Sequence, residues 1–410
     1  MDRLGSVLRV RKERVDRTKF AFKDLQPLTV HLNGKVSKRE VSEDREYTMD
    51  LWFAKPGDIV VAKIDLKSGA VGIVPTAWEN VAVTGHFAVY EPVHERMLPD
   101  FFHLIIQAPF FKAHLWRNKV GAEGRKEVKL DFFESELIPV PPLATQQAIV
   151  DYWRKSQDGV NAASSQYAKV SRELDVWLHA HTDTQAFSGP CLKVGWDSLQ
   201  NWTVQSARAA VFRQTNPKFV PFGHYAEEAT EMVKPSAEPD HDWPVYGVNN
   251  KDGVFFSHHQ KGEEFNSPYK RIRKDWFFHN PTRSAVGSLG HVLEVPSDAI
   301  TSPEYQVWKL RDLGEASLLP AFVATLIQTP WFVKVIQFHR VGAVKQRLYV
   351  ENLLSMPVPV FPRALQERIT VARERIAEER AAAAKLADDT AREVEEMILG
   401  QRPAPKTATH

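Results

Sequence analysis

The first 95 residues alternate apolar and polar positions over short stretches that end at turns. Asp58-Ile-Val-Val-Ala-Lys63-Ile64 reads as a strand, Lys67-Ser68-Gly69 as a turn and Ala70 to Val74 as a second strand. Asn80 to Thr84 and Phe87 to Tyr90 continue the pattern. At Leu98 the period changes. Phe101, Leu104, Ile105 and Trp116 fall at helical spacing, so the block from Leu98 reads as a helix. A second strand-rich stretch holds Trp243-Pro-Val-Tyr246-Gly247, the turn Asn249-Asn-Lys-Asp-Gly253, Val254 to Phe256, Asp275 to Phe278 and Gln306 to Trp308. Each half is expected to be an α+β domain. The mixed-sign run Arg11 to Arg17 reads as helix surface, and Lys270 to Lys274, broken by Ile272, as an edge strand with one wet face.

The pattern repeats. Leu98-Pro-Asp-Phe-Phe-His-Leu-Ile-Ile-Gln-Ala-Pro-Phe-Phe111 recurs as Leu319-Pro-Ala-Phe-Val-Ala-Thr-Leu-Ile-Gln-Thr-Pro-Trp-Phe332, with seven of 14 positions identical. Average composition gives about one match by chance. Val120-Gly121-Ala122 then matches Val341-Gly342-Ala343, and Pro139, Pro142 and Gln146 fall on Pro359, Pro362 and Gln366. The chain is a tandem duplication whose front halves have diverged in sequence.

A long helical stretch follows each proline-rich segment. Ile149, Trp153, Ser156, Val160, Ala163, Tyr167, Val170, Leu174 and Trp177 are spaced alternately four and three residues apart, the seam of a coiled coil. The second copy gives Ile369, Arg373, Ile376, Arg380, Ala383, Ala387, Thr390, Val394 and Met397. A helix from Gln146 to His179 would be roughly 50 Å long, more than a small domain is wide. The order domain, helix, domain, helix lets the second helix pair with the first only by running back. An antiparallel coiled coil with pseudo-twofold symmetry is expected. Globular domains are predicted over 1–142 and 183–362, long helices over 143–182 and 363–400, and a disordered tail over 401–410. Two amphipathic helices, each packing on its own domain, are the alternative.

Composition narrows the class. Of 410 residues, 43% are hydrophobic and 25% charged, which suits a globular protein with a sizeable core. The lone Cys191 excludes an internal disulfide and any multi-cysteine zinc site. No window approaches a transmembrane span, and the charged N-terminus does not resemble a signal peptide, so a cytoplasmic protein is expected. The net charge of +2 neither requires nor forbids a nucleic-acid partner.

The string GDIVVAKIDLKSGAVGIVP (57–75), the Val-Gly-Ala turn and the Pro-Val-Pro-Pro-Leu-x-x-Gln-Gln run (139–147) resemble specificity subunits of type I restriction–modification systems. The opening LGSVLRVRKERV is similar to that family's domain start. The second copy lacks the doubled Gln, and its front half is only a loose counterpart of 57–75. The resemblance implies two target-recognition domains reading an asymmetric, bipartite DNA target for phage defence. It further implies double-stranded DNA, two methyltransferase subunits and a translocating endonuclease as partners. S-adenosylmethionine would sit on the methyltransferase, with no cofactor in this chain.

DNA recognition draws on Arg and Lys for phosphates and guanine, and on Asn and Gln for adenine. The candidates in the first half are Lys63, Lys67 and the glycine-rich loop with Arg125 and Lys126, followed by Lys129. The second half offers Asn249, Asn250, Arg271, Arg273, Arg283, and the equivalent loop with Lys345 and Arg347. Each short basic run could equally be a solvated face.

Motifs for chemistry are weak. Asn280-Pro-Thr-Arg283 lacks the second proline and aromatic ring of a base-flipping methyltransferase loop, and Val286-Gly-Ser-Leu-Gly290 reads as a strand turn. No Walker-type phosphate loop occurs. Asp240-His241-Asp242 and His258-His259 lack the spacing of metal ligands, so no metal and no catalytic residue are expected. A self-contained nuclease or methyltransferase and a protein-gripping adaptor remain alternatives.

Overall fold

The structure, a computed structural model, describes residues 1–40, 48–119, 128–187, 192–199, 202–342 and 344–405. The chain divides into two compact units, Met1–Asn161 with Ala381–His410, and Ala162–Arg380.

In the first unit, one antiparallel sheet runs in the order Leu8–Val10, Phe87–Pro92, Ile59–Ala62, Val71–Ile73. A second runs Val36–Lys38, Gln26–Val30, Val81–Thr84, Leu51–Phe53, with Gln26–Val30 parallel to Val81–Thr84. The continuous apolar run at 59–61 follows from burial on both faces. Ile59 and Val61 face a core shared with helices, whereas Val60 joins Leu28, Val74, Val81 and Val89 on the other side.

The second unit repeats this plan. Ala226–Glu228, Gln306–Leu310, Trp276–His279 and Leu289–His291 form the first sheet in the same order. The second sheet runs Met232–Val233, Tyr269–Arg271, Ile300–Thr301, Asp242–Asn249, Gly253–Lys261, again with one parallel pair. Phe277 and Phe278 alternate between two cores as Ile59 and Val60 do. The front halves have therefore diverged in sequence while keeping one topology, because alternation and turn geometry constrain a strand pair more than residue identity does. Gly69 (φ 87°) and Gly287 (φ 82°) end the same 3₁₀ turn in both, a left-handed conformation that favours glycine.

Several local expectations change. The repeated block is two helices, Pro99–Gln107 and Pro109–Arg117, and likewise Pro320–Leu326 and Pro330–His339. Pro109 forces Ala108 into an extended conformation (ψ 135°) and ends the first helix. Arg11 to Arg17 is not helical. Arg11 leaves the Leu8–Val10 strand and grips the buried Asp58 through two bonds of 2.6 and 3.1 Å. Tyr269–Arg271 is not an edge, being paired on both sides, with Ile272 fully buried. Of the tail expected to be disordered, residues 401–405 are described and make packing contacts. Arg402 pairs with Glu393 (2.9 Å), and Ala404 packs on the first core. Residues 406–410 lie outside the described residues.

The long helices span Leu143–Ala180 and Arg363–Ile398. All nine seam positions of the first are buried or half-buried; in the second only Arg380 is exposed. In the first unit Ile149 shares a core with Val394 and Met397, Tyr152 bonds Glu393, and Gly159 approaches Ala383. In the second unit Arg373 lies 4.8 Å over the Tyr167 ring, Arg368 pairs with Glu173 (2.9 Å), and Trp177 meets Phe361. In both units one segment rises as the other falls, so the segments pair antiparallel.

Each domain is clamped to both helices by equivalent residues. Gln146 accepts the Leu98 N–H (2.9 Å) and donates to the carbonyls of Arg96 (2.7 Å) and Pro141 (2.8 Å). Gln366 accepts the Leu319 N–H (3.1 Å) and donates to Phe361 (3.2 Å). The other long helix supplies a carboxylate to the second repeated helix. Glu395 accepts the Phe110 N–H, and Asp175 accepts the Trp331 N–H, both at 2.8 Å. Each satisfies a helix N-terminal donor otherwise without a partner.

Candidate nucleic-acid interface

In the second unit, two distant stretches of basic sequence form one ledge. Asn280 Oδ1 accepts the backbone N–H of Thr282 and Arg283, folding 280–287 into a turn that presents Arg283 to solvent. The loop from Arg340 closes where Val341 and Arg347 exchange N–H···O bonds of 2.8 and 2.7 Å. Gly342 (φ 107°) makes that closure possible, since a Cβ there would stand 2.7 Å from the Lys345 carbonyl.

Three bonds join loop to turn. Leu348 N–H donates to the Pro281 carbonyl (3.0 Å), and His279 Nε2 donates to the Leu348 carbonyl (2.9 Å). Arg340 bridges the carbonyls of Thr282 (3.4 Å) and Gln346 (2.7 Å). Burial holds the His279 imidazole down at about 4 and lowers Arg340 from its ordinary value. Arg283 and Lys345 are exposed, and Arg347 is half-buried.

The hairpin tip of Asp242–Asn249 and Gly253–Lys261 reaches the same place. Asn250 Cβ lies 3.8 Å from where a Cβ would stand on Gly287. Asn249 is committed to the turn: its Oδ1 accepts from Lys251 and Asp252, and its Nδ2 donates to Asp252. The structure thus gathers Asn250, Arg283 and the Lys345–Arg347 loop on one ledge.

Arg271 and Arg273 have other attachments. Arg271 donates to the Ser297 carbonyl (3.2 Å) and lies over Trp243; Arg273 pairs with Glu231 (2.7 Å) beside Trp276. That exposed pair raises Arg273 and lowers Glu231 from their ordinary values, and contributes little to stability.

In the first unit Lys63 donates to the Gly85 carbonyl (2.7 Å) and Lys67 to that of Ile64 (2.8 Å). Lys129 is exposed at the start of helix Leu130–Ser135. Arg125 and Lys126 lie outside the described residues. Sequence reasoning missed Lys112, whose ammonium is 3.0 Å from the Cβ position of Gly69, while Gln107 donates to the Gly69 carbonyl (2.7 Å). Burial lowers the Lys112 pKa. Nothing in a helical lysine advertises that placement. Arg340 did carry a signal, because Lys119 precedes the first Val-Gly-Ala as Arg340 precedes the second.

Of the acidic and histidine clusters, His241 bonds Asp298 (2.8 Å), and His258 contacts Ser257 and Gln260. Among the described residues no group of three or more His, Cys, Asp or Glu is placed to hold a metal ion.

Residues 3–158 match the family model of the type I restriction modification DNA specificity domain. Over that span the chain is similar to a type I specificity domain. The matched span holds the first-unit strand pair, the Lys67 turn and the start of the first long helix. The second unit, beyond the matched span, keeps the first unit's strand order and turn.

Three solved structures resemble the chain over nearly its whole length. The HsdS subunit from Thermoanaerobacter tengcongensis is 16% identical, with 98% of this chain and 95% of that chain covered and a TM-score of 0.35. A structure described for complex assembly and conformational transition of the type I R-M system is also 16% identical, with 98% and 96% covered and a TM-score of 0.38. The S subunit of a type I system from M. genitalium is 10% identical, with 99% and 96% covered and a TM-score of 0.46. No curated protein matches the chain in sequence. Among the described residues no single helix is long and apolar enough to cross a membrane.

Proposed function

We propose that this chain is the sequence-specificity subunit of a type I restriction–modification complex. Its two domains each read one part of a bipartite target, and the antiparallel helices set the gap. The observation that carries the reading is the repeated sheet order and glycine-ended turn in two units, one of them matched by the family model of the type I specificity domain. The ledge of the second unit presents Arg283 and Lys345 for phosphates or guanine edges, with Asn250 beside them. Unlike residues occupy the equivalent turns, Lys67 against Ala285 for example, so the two half-sites differ and the target is asymmetric.

The chain contributes recognition and no catalytic group. Methyl transfer and cleavage come from partners: a methyltransferase, in two copies and carrying S-adenosylmethionine, and a translocating endonuclease. Methylome sequencing of cells expressing the chain with its cognate methyltransferase tests the reading. A single split, asymmetric motif is expected, and its absence refutes it. Purified chain given DNA, magnesium and S-adenosylmethionine is expected to neither cut nor methylate; stoichiometric turnover would favour a self-contained enzyme.

A further inference from the structure

An open cavity of about 300 Å³ lies beside the second-unit ledge. Three cations, Arg208, Lys334 and Arg340, line it together with Gln205, Gln337 and Gln346, and among the described residues no carboxylate is on its wall. The ledge and cavity are continuous, because Ala285 of the turn and Gln346 of the loop belong to both. Gln205 is the second residue of helix Val204–Thr215, so the positive end of a three-turn helix also stands at the wall.

The cations are incompletely partnered. Arg340 uses Nη2 on two carbonyls, yet its Nε is buried without a hydrogen-bond partner. Arg208 donates from Nη1 to the Ala186 carbonyl (2.7 Å) and Lys334 is exposed. Among the described residues, no carboxylate forms an ion pair with any of the three. Burial lowers the Arg340 pKa, the direction expected of a cation that has lost water without gaining an anion. Gathering three positive charges around one small cavity is unfavourable until an anion enters it.

We propose that this cavity binds a phosphate group. Guanidinium, ammonium and carboxamide donors lining one cavity suit tetrahedral oxygens, and the volume admits such a group together with what it is attached to. The phosphate comes either from the backbone of DNA held on the ledge, which rests on the proposed function, or from a free phosphate or nucleotide, which does not.

The test uses purified full-length protein and the variants Lys334→Gln and Arg208→Gln. In one arm, thermal melting is followed in inorganic phosphate or pyrophosphate against chloride of equal ionic strength. In the other, affinity for a random-sequence duplex is measured across salt concentrations. A DNA-derived phosphate predicts that Lys334→Gln weakens all duplexes alike and lowers the slope of log affinity against log salt by about one. A free phosphate predicts stabilisation of the wild type by phosphate that is diminished in both variants, with the duplex slope unchanged. If neither the slope nor the phosphate response moves in either variant, the proposal is overturned. Should Arg208→Gln unfold, Lys334→Gln decides, since its exposed side chain holds no backbone group. A wild-type chain that binds no duplex refutes the proposed function, while the phosphate arm still decides the cavity.

Discussion

Replacing Gln146 by Leu tests whether the duplicated glutamines lock each domain to the start of a long helix. Gln146 is fully buried, and its carboxamide serves three backbone groups at 2.7 to 2.9 Å. Leucine has about the same volume, so the cavity contribution is small, and the cost comes from orphaned donors and acceptors. Each costs about 1–3 kcal/mol when buried without a partner. Partial relaxation places the total at about 3–5 kcal/mol, at the upper end for a single substitution. Gln366→Leu loses two longer bonds, 3.1 and 3.2 Å, and should cost about 2–3 kcal/mol. Gln146→Glu sharpens the test. A carboxylate would face two carbonyl oxygens, so the folded state favours the protonated acid and raises its pKa. The stability of that variant should be greatest below the ordinary glutamate range and fall as pH rises through the raised value. Urea titrations at constant m measure all three variants. A Gln146→Leu cost below about 1 kcal/mol, or one smaller than that of Gln366→Leu, would refute the reasoning.

His279 and His339 are both buried with pKa values held at about 4, so each favours the neutral form in the fold. The unfolded chain takes up protons first, and the stability each supports, roughly 3 kcal/mol, is fully present above pH 6.5 and lost as pH falls toward 4. Their counterparts in the first domain are Val61 and Asn118, so hydrogen exchange should show the second domain opening first in acid; equal acid sensitivity would contradict this. Arg373 is desolvated in the seam, its pKa pulled down to about 10, over Tyr167 and 3.4 Å from the Thr325 hydroxyl. Arg373→Met should be neutral or stabilising by about 1 kcal/mol in urea unfolding, and a loss of that size would argue for a net favourable cation–π pair. Removing the helix-capping carboxylates, by Asp175→Ala or Glu395→Ala, should each cost about 1 kcal/mol. Hydrogen exchange should place the loss in helix Pro330–His339 for the first and Pro109–Arg117 for the second.

Much of the fold was legible because burial leaves a period in the sequence. The seam from Ile149 to Trp177 and the doubled Leu-Pro block depend only on spacing and identity within one segment. The second-domain counterpart of the 57–75 strand pair was hidden. Trp276–His279 and Leu289–His291 preserve alternation and the Gly287 turn while sharing few residue types with their partners. The helix break at Ala108 was written in Pro109, but the strong apolar period masked it. Of the candidate interface, the sequence yielded Arg283, Asn250 and Lys345 separately. Their meeting depends on Leu348 and Arg340 bonding across about 60 residues of chain. Lys112 and Arg208 carry no local mark, because a cation on a helix acquires its role only from what packs beside it.

The most direct test of the spacing claim is methylome sequencing with matched four-residue insertions in both long helices. Four helical residues add about 6 Å, close to two base pairs of B-DNA. Both half-sites should be retained while the gap between them grows by about two base pairs. An unchanged gap, or altered bases in either half-site, would contradict the account.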